Sequence, residues 1–359
     1  MVTNACVTGS RLVPWLLLGA LAVAALGCEP TFDDRNSEVL ARRVLAIRAT
    51  PAQVKPSAPV KLSALVVEPS GTLKKFAVDW AFCKAPKPVA ETNDVSALCL
   101  EYSGEQFDEL GKRSSVTGTM PEDACRLFGP DVPPSMADEP AGRPTDPDST
   151  GSYYQPLRVL ADSEPQPVLA LGQVGLICGL PVLTGEQLFA YQKRVRVNEH
   201  PAISNVLIDG DDAKPLSVDD GETKPVSVKA GEQLKLRLTW PDCPSEDQCG
   251  DGICGMDETA MDCAEDCMTP KGCAGAETYV YYDPLARKLV DRREALRVSW
   301  FSGSGSFGDD HTGRREDETD TFSDGVWTAP STPGLTHLWV VLRDSRGGVD
   351  WQSYVVNVE

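Results

Sequence analysis

The chain has 359 residues, with 53 Asp and Glu against 34 Lys and Arg and a formal net charge of -19. That balance argues against nucleic acid as a partner and against attachment to an anionic membrane surface through a basic patch, since both need clustered cations. It favours cationic ligands or calcium, or simply keeps an exposed protein soluble.

The first segment carries one charge, Arg11, followed by the uncharged, mostly apolar run Leu12–Gly27. That run is shorter than the roughly 20 residues a helix needs to cross a bilayer, and small residues close it, so residues 1–27 read as a signal peptide. Ala25-Leu26-Gly27-Cys28 resembles the lipobox of bacterial lipoproteins, although Ala25 stands where that motif usually has Leu. The resemblance implies acylation of Cys28 and a membrane held through lipid. The polar stretch Glu29–Ser37 has no apolar period and reads as a tether, so residues 28–40 are expected to be the lipidated Cys and its tether. Ordinary cleavage before Cys28 is the other reading. Cleavage removes Cys6 and leaves eleven of the 12 cysteines, an odd number. If Cys28 carries lipid, ten remain to pair in an oxidising compartment: Cys83, Cys99, Cys125, Cys178, Cys243, Cys249, Cys254, Cys263, Cys267 and Cys273.

The mature length suggests two domains at roughly 100 to 200 residues each. Residues 41–200 are expected to form the first. Arg43–Arg48 opens it, and Val60, Leu62, Ala64 and Val66 then alternate with Lys61, Ser63, Leu65 and Val67. After the Pro69-Ser70-Gly71 turn, Phe76, Val78, Trp80 and Phe82 share one face. Period two means sheet. From 84 to 167 the pattern fades into Pro, Asp, Gly and Ser, which predicts a long irregular insertion held by its cysteines. Order returns with Pro167–Cys178, a short helix from Thr184 with Gln187 in capping-box position, and a strand at Lys193–Val197.

Residues 201–359 are expected to form the second domain. Its strands are Ile203–Ile208, Val226–Val228, Leu234–Trp240, Thr278–Tyr282, Ala295–Phe301, Gly325–Thr328, His337–Leu342 and Trp351–Val358. The last two flank the turn signal Arg343–Gly348. The fold class is therefore all-β, two antiparallel sandwiches. Val326-Trp327-Thr328-Ala329-Pro330, then Gly334, Asp344 and Gly347-Gly348 between closing strands, resembles the end of bacterial immunoglobulin-like and PKD-like modules. Together with the cysteine-rich insert, this looks like uncharacterised lipoproteins of myxobacteria. The resemblance implies an immunoglobulin-like fold and a surface location, and no activity.

That insert, residues 241–275, holds Cys249-Gly250-Asp251-Gly252-Ile253-Cys254, Glu258 and Cys263-Ala264-Glu265-Asp266-Cys267. It is similar to the CGxGxC, E, CxxDC knots of secreted bacterial proteins. From Asp242 to Asp266 there are nine carboxylates and no Lys or Arg. Calcium is the cation suited to such oxygen ligands, with Asp251, Asp257, Glu258, Asp262 and Asp266 as candidates; a solvated loop stapled by disulfides is the alternative. Elsewhere, Asp146–Gly151 imitates half of an EF-hand but meets Leu157 at the twelfth position, and Gly303–Gly308 matches GxGxxG without a helix behind it. The three histidines, His200, His311 and His337, form no recognisable catalytic pattern.

No catalytic residue is nominated. The reading, which rests partly on the resemblance of fold, is a non-catalytic surface lipoprotein whose two disulfide-braced β domains form a binding or adhesion module at the outer membrane or cell surface, contacting an envelope or cell-surface protein or a glycan. An exported carboxylate-dependent hydrolase and a structural subunit of an envelope assembly are its rivals.

Overall fold

The computed structural model describes residues 36–86, 95–130, 152–180, 182–208, 214–215, 225–243, 261–264 and 272–359. Its first sandwich comprises β1 (Arg43–Thr50), β2 (Gln53–Val54), β3 (Pro59–Glu68), β4 (Gly71–Thr72), β5 (Val78–Cys83), β6 (Phe107–Arg113), β7 (Ser115–Thr119), β8 (Ser152–Ala161) and β9 (Val168–Ile177). One sheet centres on β3, paired antiparallel with β1 along one edge and with β7 and β4 along the other. The second sheet runs β2-β9-β8-β5-β6. Between them lie Val60, Leu62 and Val66 from β3, with Val78, Trp80 and Phe82 from β5. Burying each side chain of that size contributes roughly 1.5 to 3 kcal/mol.

Strands reach into the stretch expected to be irregular, for β6, β7 and β8 all lie between residues 84 and 167. Their alternation is masked by polar residues with structural duties. In β6 the outer positions are charged, as suits an edge strand. In β8, Gln155 and Arg158 are buried and Pro156 interrupts the run. Pro156 is tolerated because β5 pairs only with residues from Leu157 onward, so no partner needs its missing N–H on that side. Two disulfides tie the segment down: Cys83–Cys99 holds a 3-10 turn (Ala97–Leu100), and Cys125–Cys178 holds the short helix α1 (Ala124–Phe128) against the end of β9.

The expected strand at Lys193–Val197 is not one. Helix α2 (Gly185–Arg194) runs through its first half, because Leu188, Tyr191 and Val195 recur at helical spacing and pack on a hairpin of the second half of the chain. Nor does the capping box form. Thr184 makes no side-chain cap, and Gln187 donates instead to the carbonyl of Arg287 on that hairpin, at 2.8 Å.

The second half contains β10 (Asn205–Ile208), β11 (Lys214–Pro215), β12 (Val226–Val228), β13 (Gln233–Thr239), β14 (Thr278–Asp283), β15 (Lys288–Arg293), β16 (Leu296–Ser302), β17 (Ser306–Phe307), β18 (His311–Arg314), β19 (Phe322–Thr328), β20 (Gly334–Asp344) and β21 (Val349–Val358). The sheet β11-β10-β13-β19-β17 packs on the sheet β12-β21-β20-β16-β18. The order β10-β13-β19-β17 against β21-β20-β16 follows the immunoglobulin pattern of an ABED sheet on a CFG sheet. Leu234, Leu236, Leu238 and Trp240 supply one inner face, as their alternation predicts. Thr278–Tyr282, expected in the sandwich, pairs only with β15, and this separate hairpin carries α2.

Among the described residues, β3 and β20 each carry apolar side chains on both faces. In β3, Leu65 and Val67 point away from the first core, and in β20, Trp339 and Val341 point away from the second. These outward residues meet one another, joined by Leu45, Ala46, Phe301 and Val349, in a third buried cluster. The two sandwiches therefore stack back to back in four sheet layers, and Asn36–Glu359 forms one unit.

Candidate functional site: the joint between the sandwiches

Beside the apolar seam, the sandwiches are joined by a buried polar cluster. The β20–β21 turn builds its centre. The Asp344 carboxylate accepts from the backbone N–H groups of Arg346 and Gly348, each at 2.8 Å, and from Asn198 Nδ2 at 3.1 Å. Gly347 sits at φ +95°, and a Cβ on Gly348 would stand 2.0 Å from Asp344 Oδ2, so the turn needs both glycines. This geometry turns Arg346 inward. Its guanidinium lies 3.4 Å from Glu277 and 3.5 Å from Glu294, donates to the carbonyl of Arg196 at 2.9 Å and to Gln53 Oε1 at 3.4 Å, and covers the Tyr279 ring.

Glu277 and Glu294 precede and follow the β14–β15 hairpin and clamp each other. The Glu294 N–H donates to the Glu277 carbonyl at 2.9 Å, and the Glu277 N–H to the Glu294 carboxylate at 3.1 Å. Both side chains are 1% exposed. Burial therefore raises the carboxyl of Glu277 to about 7, and that of Glu294 well above the usual range, with Asp344 adding repulsion at Glu294. Burial also raises Asp344 itself. Gln53 belongs to the first sandwich, Arg346 to the second, and Asn198 to the connection between them, so the cluster is where these parts are registered.

His200 makes a second link. Its Nδ1 accepts from the Val349 N–H at 3.0 Å, and Nε2 faces the Ala49 carbonyl at 2.7 Å. Both partners are satisfied by a neutral ring with its proton on Nε2. Burial first, then Arg48, lowers this histidine to about 4. Arg48 itself pairs with Asp350 at 3.2 Å, and Asp350 accepts the Ile203 N–H at 2.9 Å.

The residues singled out in the sequence lie elsewhere. Cys83, Cys99, Cys125 and Cys178 form the two bridges already described, and Cys243 pairs with Cys273 at 2.03 Å. Cys263 is also disulfide-bonded. Asp262 is exposed in a turn. Cys28, Cys249, Cys254, Cys267, Asp251, Asp257, Glu258 and Asp266 lie outside the described residues, as does Asp146–Gly151. Among the described residues, no three His, Cys, Asp or Glu are arranged as metal ligands. His311 is exposed and paired with Asp310 at 2.7 Å, while His337 stacks on Trp339. In Gly303–Gly308, β17 forms a short rung on β19.

Sequence reasoning missed the joint. Its one legible part was the turn signal Arg343–Gly348; Glu277 and Glu294 look like two of many acidic residues until the hairpin brings them together.

No protein-family model and no curated protein matches the chain. Among solved structures it is similar to the D00-D0 domain of intimin, at 9% identity and a TM-score of 0.21, covering 89% of this chain and 100% of that one. The Yersinia pseudotuberculosis adhesin InvE aligns at 8% identity and a TM-score of 0.18, over 87% of this chain and 58% of that one. A family 2 glycosyl hydrolase from Bacteroides cellulosilyticus aligns at 8% and 0.19, over 85% of this chain and 23% of that one. Likeness this slight assigns neither family nor activity. Among the described residues, no helix is long and apolar enough to cross a membrane.

Proposed function

We propose that the chain is an exported lipoprotein, cleaved before Cys28 and acylated there, whose double sandwich serves as a rigid, non-catalytic binding or adhesion module at the outer membrane or cell surface. The observation that carries this reading is the covalent bracing, with Cys83–Cys99, Cys125–Cys178 and Cys243–Cys273 all bridged. Such bonds persist outside the reducing cytoplasm. The joint supports a structural rather than a chemical role for the conspicuous ionisable groups, because Glu277 and Glu294 are closed off from solvent. Contact with a partner falls instead to the loops. Leu98, Leu100 and Tyr102 are each about half exposed around the Cys83–Cys99 bridge, at 51%, 53% and 50%.

Intact mass of the mature protein from its native membrane tests the address. A diacyl or triacyl mass on Cys28, with thiols appearing only after reduction, is expected; an unmodified Cys28 or freely reactive thiols would remove the basis of the reading. Crosslinked pull-down from envelope extract, repeated with Leu98→Ser and Tyr102→Ser, then tests the contact loop. An EDTA arm reports whether the acidic insert carries calcium.

A further inference from the structure

Three buried or part-buried guanidiniums can be compared. Arg158, fully buried, lies 2.9 Å from Glu109 and 3.6 Å from Asp79. Arg346 lies between Glu277 and Glu294. Arg343 differs from both. It donates to the Leu45 carbonyl at 2.8 Å and to the Ser299 hydroxyl at 3.4 Å, and both acceptors are neutral. No carboxylate pairs with it among the described residues, and burial alone pulls its pKa below the ordinary value. A cation partly withdrawn from water without a counter-ion carries a cost, and a chain of net charge -19 has carboxylates to spare.

Arg343 borders a cleft of about 300 Å³ between the sandwiches. β1 and β9 form its walls, and the β20–β21 turn lines one side. The lining is mostly aliphatic, from Val44, Ile47, Ala170, Leu171 and Val349. Its other polar side chains are Gln173, on the exposed rim, and Asp344, whose oxygens are already taken by Arg346 N, Gly348 N and Asn198. The bulge in β1 between Val44 and Ala46 takes Leu45 out of the ladder register, and its carbonyl holds the Arg343 guanidinium at the cleft.

We propose that this cleft binds a small molecule carrying a carboxylate on a short aliphatic body, with Arg343 receiving the carboxylate and the aliphatic walls covering the chain. At about 300 Å³ the cleft falls at the lower end of the range of small-molecule sites, which suits a short-chain or medium-chain carboxylate. Domain junctions are where such sites concentrate, and a guanidinium takes a carboxylate through two parallel hydrogen bonds. The inference goes beyond the binding-module reading and stands whether or not Cys28 is acylated.

Titration calorimetry of the full chain with sodium octanoate, 1-octanol and sodium acetate tests it. Octanoate is expected to bind saturably at one site with Kd below about 1 mM, and octanol and acetate at least about tenfold more weakly. Arg343→Met should cost octanoate about tenfold or more while leaving octanol unchanged. Should that variant not fold, Gln173→Trp, at the exposed rim, decides the matter by filling the mouth with Arg343 intact, and should weaken octanoate by a similar factor. Absence of saturable octanoate binding, equal affinity for octanol, or octanoate affinity unmoved by whichever of the two variants folds would overturn the proposal.

Discussion

The same two sandwiches are joined twice, by an apolar seam around Trp339 and by a polar joint around Arg346, and the two junctions behave by different rules. The seam is tolerant of detail: dispersion and dehydration reward any close fit between Leu65, Val67, Trp339 and Val341. The joint is intolerant, since each buried carboxylate and guanidinium must find its partner or carry a large desolvation penalty. The seam supplies free energy of association. The joint fixes which way the sandwiches face.

The largest effect should come from the seam. Trp339 is fully buried and donates its indole N–H to Thr72 at 2.8 Å. Trp339→Ala is expected to lower unfolding free energy by about 3 to 5 kcal/mol, read from urea denaturation. Arg346→Met should cost about 3 kcal/mol, because it leaves two buried carboxyl groups without their guanidinium partner. Adding Glu277→Gln and Glu294→Gln to it should restore most of that loss. A triple variant no more stable than the single one would show that the joint is held by packing, erasing the contrast with the seam.

The joint should also respond to pH where the seam cannot. The folded protein holds the Glu277 proton up to about 7, while the unfolded chain releases it near 4.5. This contribution is complete below the unfolded value and is lost as pH rises through 7. His200 acts in the opposite sense, since its folded value of about 4 lies below the ordinary 6.5. Its contribution is present above 6.5 and disappears as pH falls toward 4. Comparing Glu277→Gln with the parent cancels the histidine. The variant should gain on the parent by on the order of 2 kcal/mol between pH 5 and pH 8. Constant difference across that range would mean that Glu277 is ionised throughout.

The smallest effect should be Thr72→Val. Thr72 lies within hydrogen-bond reach of both the Trp339 indole and Ser353, and its loss should cost about 1 kcal/mol with no pH dependence.

The seam was half legible in the sequence. Leu65 and Val67 break the polar side of the β3 alternation, and a strand apolar on both faces is one that is covered twice. What covered it was not readable, because the seam pairs residues almost three hundred positions apart. The joint was less legible still. Glu277, Glu294, Gln53 and Asn198 acquire meaning only when three separate segments converge, and polarity at an isolated position reads as solvent exposure. β8 was lost for the same reason, its Gln155 and Arg158 being polar and buried.

The residues just before β1 attach to the far sandwich. Val39 N–H donates to the Ser302 carbonyl and Ser302 N–H to the Ser37 carbonyl, both at 2.9 Å, so Ser37–Val39 runs along the end of β16. β16 pairs with β20, and β20 with β21, where the described chain ends. Tension applied between Asn36 and Glu359 can therefore pass through a single sheet of the second sandwich. The first sandwich lies off that shortest path, but it also holds the same segment, because Arg43 of β1 donates to the Asn36 and Glu38 carbonyls at 2.7 and 3.2 Å.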